Sequence, residues 1–140
     1  MGFEDYFKRQ VDQLGRVLGQ LLTGLLGLKS EGKFEEGREL ARRTIGTKAG
    51  IDFNDLIAIS SGSLPLVLKE KYRWNKQNIN TLADILYELA DGEEDLDREK
   101  SRIYFEKALA IYEHLHKEDT TYSIDRQMKI DEIKDILTQS

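Results

Sequence analysis

The chain holds only two histidines, His114 and His116. Two positions apart on a helix, they would point to different faces and could not chelate one metal ion, so rim positions are expected for both. The acidic run DGEEDLDREKSR sets Asp91, Glu93 and Asp95 at alternate positions, as a calcium loop begins. Its sixth position is Leu96 where such a loop turns on glycine, and its twelfth is Arg102 where a bidentate glutamate is needed. A solvated turn is the better reading, with Asp95 or Asp97 capping the next helix. Ser61 and Ser63 flank Gly62, but the sequence positions no histidine to activate either hydroxyl. Carboxylates are spread along the chain, so no pair stands out as acid and base. GTKAG, at 46–50, has neither the spacing of a phosphate loop nor a strand before it. With no cysteine, disulfides, thiolate chemistry and cysteine-ligated zinc are absent. The sequence therefore predicts no catalytic residue, no metal ligand and no cofactor, and a protein that is not an enzyme.

Composition narrows the partners. The 140 residues fit one domain, and 39% apolar with 34% charged residues describe a folded, highly charged chain. The net charge of −5 supplies no cationic face to displace counterions, so nucleic acid is not an expected partner. The densest basic cluster, Arg38, Arg42, Arg43 and Lys48, is interleaved with Glu35, Glu36 and Glu39 and reads as a solvated helix face, with Glu39 and Arg43 as an i,i+4 pair. Absence of cysteine fits a reducing cytoplasm, the expected location. Glu4 and Asp5 precede the first apolar stretch, which has no small-residue cleavage site, so no secretory signal is expected. Residues 17–28 run twelve positions without a charge. As a helix they would span about 18 Å against about 30 Å of hydrocarbon, too short for a transmembrane segment.

A helix at 3–29 must organise these residues. Phe7, Val11, Leu14, Leu18, Leu21, Leu25 and Leu28 alternate spacings of four and three, one apolar stripe along a helix. Gly15, Gly19, Gly24 and Gly27 together cost on the order of 4 kcal/mol against alanine, so this helix depends on packing. Gly15 and Gly19 share one flank, where another backbone could approach closely. The stripe has three readings: packing inside the domain, which leads, a seam with a second copy, or an interfacial membrane helix. The last is disfavoured, because charge is lost where the helix is most apolar. Tyr72, Arg73 and Trp74 close a later helix as an amphipathic cluster of types common in interface hot spots, though core packing of the lone tryptophan is the first expectation.

After Gly32, a second stripe of Phe34, Gly37, Ala41 and Ile45 completes a helical hairpin, its second helix at 33–46. The hairpin resembles a tetratricopeptide repeat: Gly32 matches the turn glycine, Gly37 the small residue that follows, Ala41 and Thr44 the later packing positions. A second hairpin at 76–118 carries Ile79, Leu82, Leu86 and Leu89, a turn at Gly92, then Ser101, Phe105, Ala108, Leu109 and Tyr112, with FEKALAIYE the best local match. The whole layout also resembles a family of small bacterial proteins of unknown function, through Gly32, Lys33, Phe34, Glu35 and Glu36 with Ser30 before them; that likeness implies a fold and no activity. Between the hairpins, 52–74 reads as two short helices, one capped by Asp52 and one by Ser63 with Pro65 in its first turn. A capping helix at 121–138 would bury Tyr122, Met128 or Arg126, Ile130, Ile133 and Leu137.

The expected fold is all-α, about seven helices in antiparallel hairpins stacked as a short, right-handed, tetratricopeptide-like array. The expected function is a non-catalytic module that holds a protein partner or a second copy, with contacts at Phe7, Val11, Leu14, Leu18, Tyr72, Arg73 and Trp74. Two alternatives stay open: a ligand binder or enzyme with a carboxylate-lined pocket between helices, and peripheral membrane attachment through the first helix.

Overall fold

A computed structural model describes residues 2–91 and 98–139. Among them the chain forms seven helices and no strand: α1 (Phe3–Ser30), α2 (Phe34–Lys48), α3 (Phe53–Ala58), α4 (Leu64–Glu70), α5 (Lys76–Ala90), α6 (Arg98–Glu118) and α7 (Ile124–Gln139). The turn at Gly92 and the caps expected at Asp95 or Asp97 lie outside the described residues.

α1 stops at Gly32 for a backbone reason. Gly32 adopts φ +75°, which glycine reaches without penalty. That turn lets the Gly32 and Lys33 amides donate to the carbonyls of Lys29 and Leu28, satisfying groups that a helix end leaves open. The chain then folds back, and α2 lies against α1. At Gly37 an added Cβ would stand 2.7 Å from Leu25 Cδ1, so only glycine allows this approach. The Gly15–Gly19 flank behaves unevenly: a Cβ at Gly15 would meet Asn78 Oδ1 at 3.1 Å, whereas Gly19 has nothing within 4 Å.

α5 sits at the centre. It packs against α1, α2, α4 and α6, and nine of its fifteen residues are buried, a helix apolar on most sides. The core around it joins Leu18, Leu21 and Leu25 of α1 to Ala41 and Ile45 of α2, Leu56, Leu64 and Leu68 of α3 and α4, and Phe105, Ile111 and Leu115 of α6. Asn75 caps α5 by accepting from the Asn78 amide at 2.8 Å, and Asp52 caps α3 from the Asp55 amide at 3.1 Å. Ser63 precedes α4 with Pro65 in its first turn, but its hydroxyl pairs with Ser60 instead of capping the helix. On α2, Arg38 is half-buried with its Nη1 enclosed, which departs from the fully solvated face expected there.

α7 docks differently from the expectation. Ile130 and Ile133 are buried, Leu137 packs against the core, and of the alternatives Met128 and Arg126 it is Arg126 that faces inward, while Tyr122 and Met128 are 64% and 65% exposed. Polar contacts to α5, α6 and the residue that follows α6 do the rest. Lys129 Nζ lies 3.0 Å from Asp84 Oδ1, which also accepts from the Tyr112 hydroxyl; Tyr87 donates to Glu132 at 2.5 Å; and Arg126 pairs with Asp119 at 2.9 Å.

Candidate functional site

α1 is much longer than its partner. Its 28 residues span about 42 Å and the 15 of α2 about 22 Å. Folded back from Gly32, α2 therefore ends near the middle of α1, and the apolar stripe runs on past it toward the N-terminus. Leu18, Leu21 and Leu25 are sealed, while Val11, Leu14 and Val17 are half-buried and Phe7 is 39% exposed. Asn78, itself buried, fixes this half of α1 to the start of α5 by donating to the Val11 carbonyl at 3.0 Å.

The space beside the uncovered stripe is a groove of about 750 Å³. One wall is α1, through Phe7, Val11, Leu14 and Val17, with Gln10 and Gln13 at its edge. The facing wall combines the end of α2 and its turn (residues 48–50) with the connection from α4 to α5 (residues 71–74). That connection has its own local logic. Arg73 takes φ +60°, the left-handed region that a residue with a Cβ enters at a cost of about 1 kcal/mol. The reversal brings the Trp74 amide back to the Leu68 carbonyl at 2.9 Å and sends the indole into the core. Arg73 is thereby thrown outward across the groove, its guanidinium carbon 5.5 Å from the Phe7 ring centre. Lys71 Nζ lies over the Tyr72 ring at 5.4 Å.

Six of the seven residues singled out as contacts thus border one groove: Phe7, Val11, Leu14, Tyr72, Arg73 and Trp74. Leu18 is a correction, since it is fully buried and serves the chain's own core. Trp74 does both, buried among core residues while bordering the groove. Lys48, Lys71 and Gln10 were not anticipated; only the tertiary fold brings the end of α2 beside the N-terminal half of α1. Where a carboxylate-lined pocket was one expectation, this lining holds three cations and no carboxylate.

Elsewhere several titratable groups pack against neighbouring side chains. His114 pairs with Glu118 one turn on, and His116 packs edge-on against Tyr122 at 5.7 Å. Burial and the hydrogen bond to Asp84 push the Tyr112 hydroxyl far above its ordinary range. Burial also lowers the Lys107 amine, which reaches the Ile59 carbonyl at the end of α3. Among the described residues no three His, Cys, Asp or Glu side chains are grouped to hold a metal ion, and no helix is long and apolar enough to cross a membrane.

No curated protein and no solved structure matches the chain. One family model does, over residues 1–139. A chain with seven helices among its described residues, matched along nearly its whole length, has its assignment: it belongs to the family of unknown function DUF6483.

Proposed function

We propose that this protein is a non-catalytic helical interaction module that docks a protein partner in the groove between α1 and the α4–α5 connection. The observation that carries it is convergence. Phe7, Val11 and Leu14 lie far in sequence from Tyr72, Arg73 and Trp74, yet both sets border the same concave surface. Apolar side chains at helical spacing, left half-bare beside a groove, are what a helix-in-groove contact uses. The buried carboxylate cluster that an acid–base site needs is not what lines this groove.

We read the helix packing as a tetratricopeptide-like stacking, which fits the same proposal. α1 with α2, and α5 with α6, form the two main packed pairs. Contacts from Val11 to Asn78 and from Lys29 to Glu88 run α1 and α5 in one direction. Asp84 to Lys129 and Tyr87 to Glu132 do the same for α5 and α7. Helix arrays of this kind present extended concave surfaces to partners.

Photocrosslinking in the native cell tests the proposal. A photoreactive residue at Gln10, on the groove edge, should give discrete protein adducts that disappear when Val11 and Leu14 are both changed to Ser. The same residue at exposed Met128 on α7 should give none. Labelling at position 10 no greater than at 128 overturns the proposal.

A further inference from the structure

We infer that the segment held in this groove is an acidic amphipathic helix, an inference that presupposes protein docking there. Of the chain's 140 residues 26 are acidic, yet among the described residues none of these lines the groove, whereas Lys48, Lys71 and Arg73 all do. Among the described residues none of the three stands within ion-pair distance of a carboxylate. Two of them rest on aromatic faces, Lys71 on Tyr72 and Arg73 on Phe7. A cation over a ring still has N–H donors to give, and those of Arg73 form the fork that matches a carboxylate.

The apolar half sets the shape of the occupant. Phe7, Val11 and Leu14 follow an i, i+4, i+7 pattern, and the stretch to Val17 covers about 15 Å of helix, room for two to three turns of a partner helix. That partner would present apolar residues to α1 and carboxylates to the cationic rim. The protein's overall charge of −5 does not forbid this. At physiological salt, screening over about 8 Å leaves the nearest charges in control.

Charge also decides against a two-fold pairing of this groove with itself. A two-fold dimer through the groove would bring the same patch to itself and set six cations face to face with no carboxylate in either lining. Nucleic acid fits poorly as well, because three phosphate contacts would release few counterions.

The test is a selection from random 16-residue displayed peptides on the full-length protein. Each binder is then measured on wild type, on Lys48→Glu/Arg73→Glu and on Val11→Ser/Leu14→Ser. Circular dichroism shows whether each variant is folded, and Lys48→Gln/Lys71→Gln is a milder charge variant. Groove-dependent binders should be enriched in Asp and Glu with apolar residues at i, i+3 and i+4. Their affinity should fall at least tenfold on the charge-reversed variant and fall again as salt rises. Binders lost on the serine variant but indifferent to both charge variants would overturn the acidic-partner inference and leave protein docking standing. No binder sensitive to any variant would overturn docking itself. Binding confined to phosphatidylserine vesicles would overturn both in favour of a membrane surface.

Discussion

The guanidinium of Arg73 lies over the ring of Phe7, linking the turn between α4 and α5 to the second turn of α1. Arg73 holds that position from a left-handed backbone, where glycine would be the easier residue. The strain and the side chain can therefore be separated. Arg73→Gly should exceed Arg73→Ala in unfolding free energy by about 1 kcal/mol, since both lose the ring contact and only alanine keeps the strain. Both should weaken a groove-bound peptide alike. Urea unfolding beside a binding titration checks this, and equal stability of the two variants would show that the turn stores no strain.

The helical glycines of α2 are not equivalent. A Cβ added at Gly46 would have nothing within 4 Å, so Gly46→Ala should stabilise by about 1 kcal/mol through helix propensity alone. At Gly37 the new Cβ would press on buried Leu25, and overpacking of about 1–3 kcal/mol offsets or exceeds that gain. Thermal melts should rank Gly46→Ala above wild type and Gly37→Ala at or below it.

Those glycines also show how much of the fold was legible in the sequence. Gly32 announced the first turn and Gly37 the small packing position after it, and the single proline with the 3.6-residue periodicity announced an all-α chain of about seven helices. Asp52 was readable as a cap because it directly precedes an apolar helical run. The docking of α7 was not readable. Asp84 and Lys129 are ordinary surface types in sequence, Tyr112 reads only as a packing position, and only the packing of three helices joins them into one node. The groove was half legible. Its apolar edge follows helical periodicity, but Lys48 reaches the lining only because α2 is too short to cover α1.

The node at Asp84 should govern α7. Asp84→Asn keeps the size but removes the charge that Lys129 and the Tyr112 hydroxyl meet, and a part-buried charged pair of this kind is worth about 2 kcal/mol. Hydrogen exchange should show faster opening of α7 than of α5. Unchanged protection across α7 would mean that the Asp84 node is not what holds it.

Acid should loosen the same helix. The hydrogen bond from Arg126, helped by Lys76, holds the Asp119 carboxyl below the ordinary value of 3.8. A depressed acid stabilises the fold above 3.8, and the contribution is lost as pH falls through the lower folded value. The stability difference between wild type and Asp119→Asn should be constant above about pH 5 and shrink below 3.8.

Lys107 gives the opposite limb. Burial lowers its amine below the ordinary 10.5, so between the two values the unfolded chain binds more protons and stability rises with pH. Wild type should therefore gain on Lys107→Met as pH is raised from neutral toward 10.5, in urea titrations at fixed ionic strength. A flat difference would show that the amine stays charged inside the fold.

The claim on which the function turns is that Val11 and Leu14 are left half-bare for an outside chain. Trp74 is the only tryptophan and borders the groove, so its fluorescence can follow a groove-selected peptide without added label. Titrated into wild type and into Val11→Ser/Leu14→Ser, the peptide should saturate the first and bind the second at least tenfold more weakly, with the seven-helix circular dichroism retained. Equal affinity for both folded proteins would contradict docking in this groove.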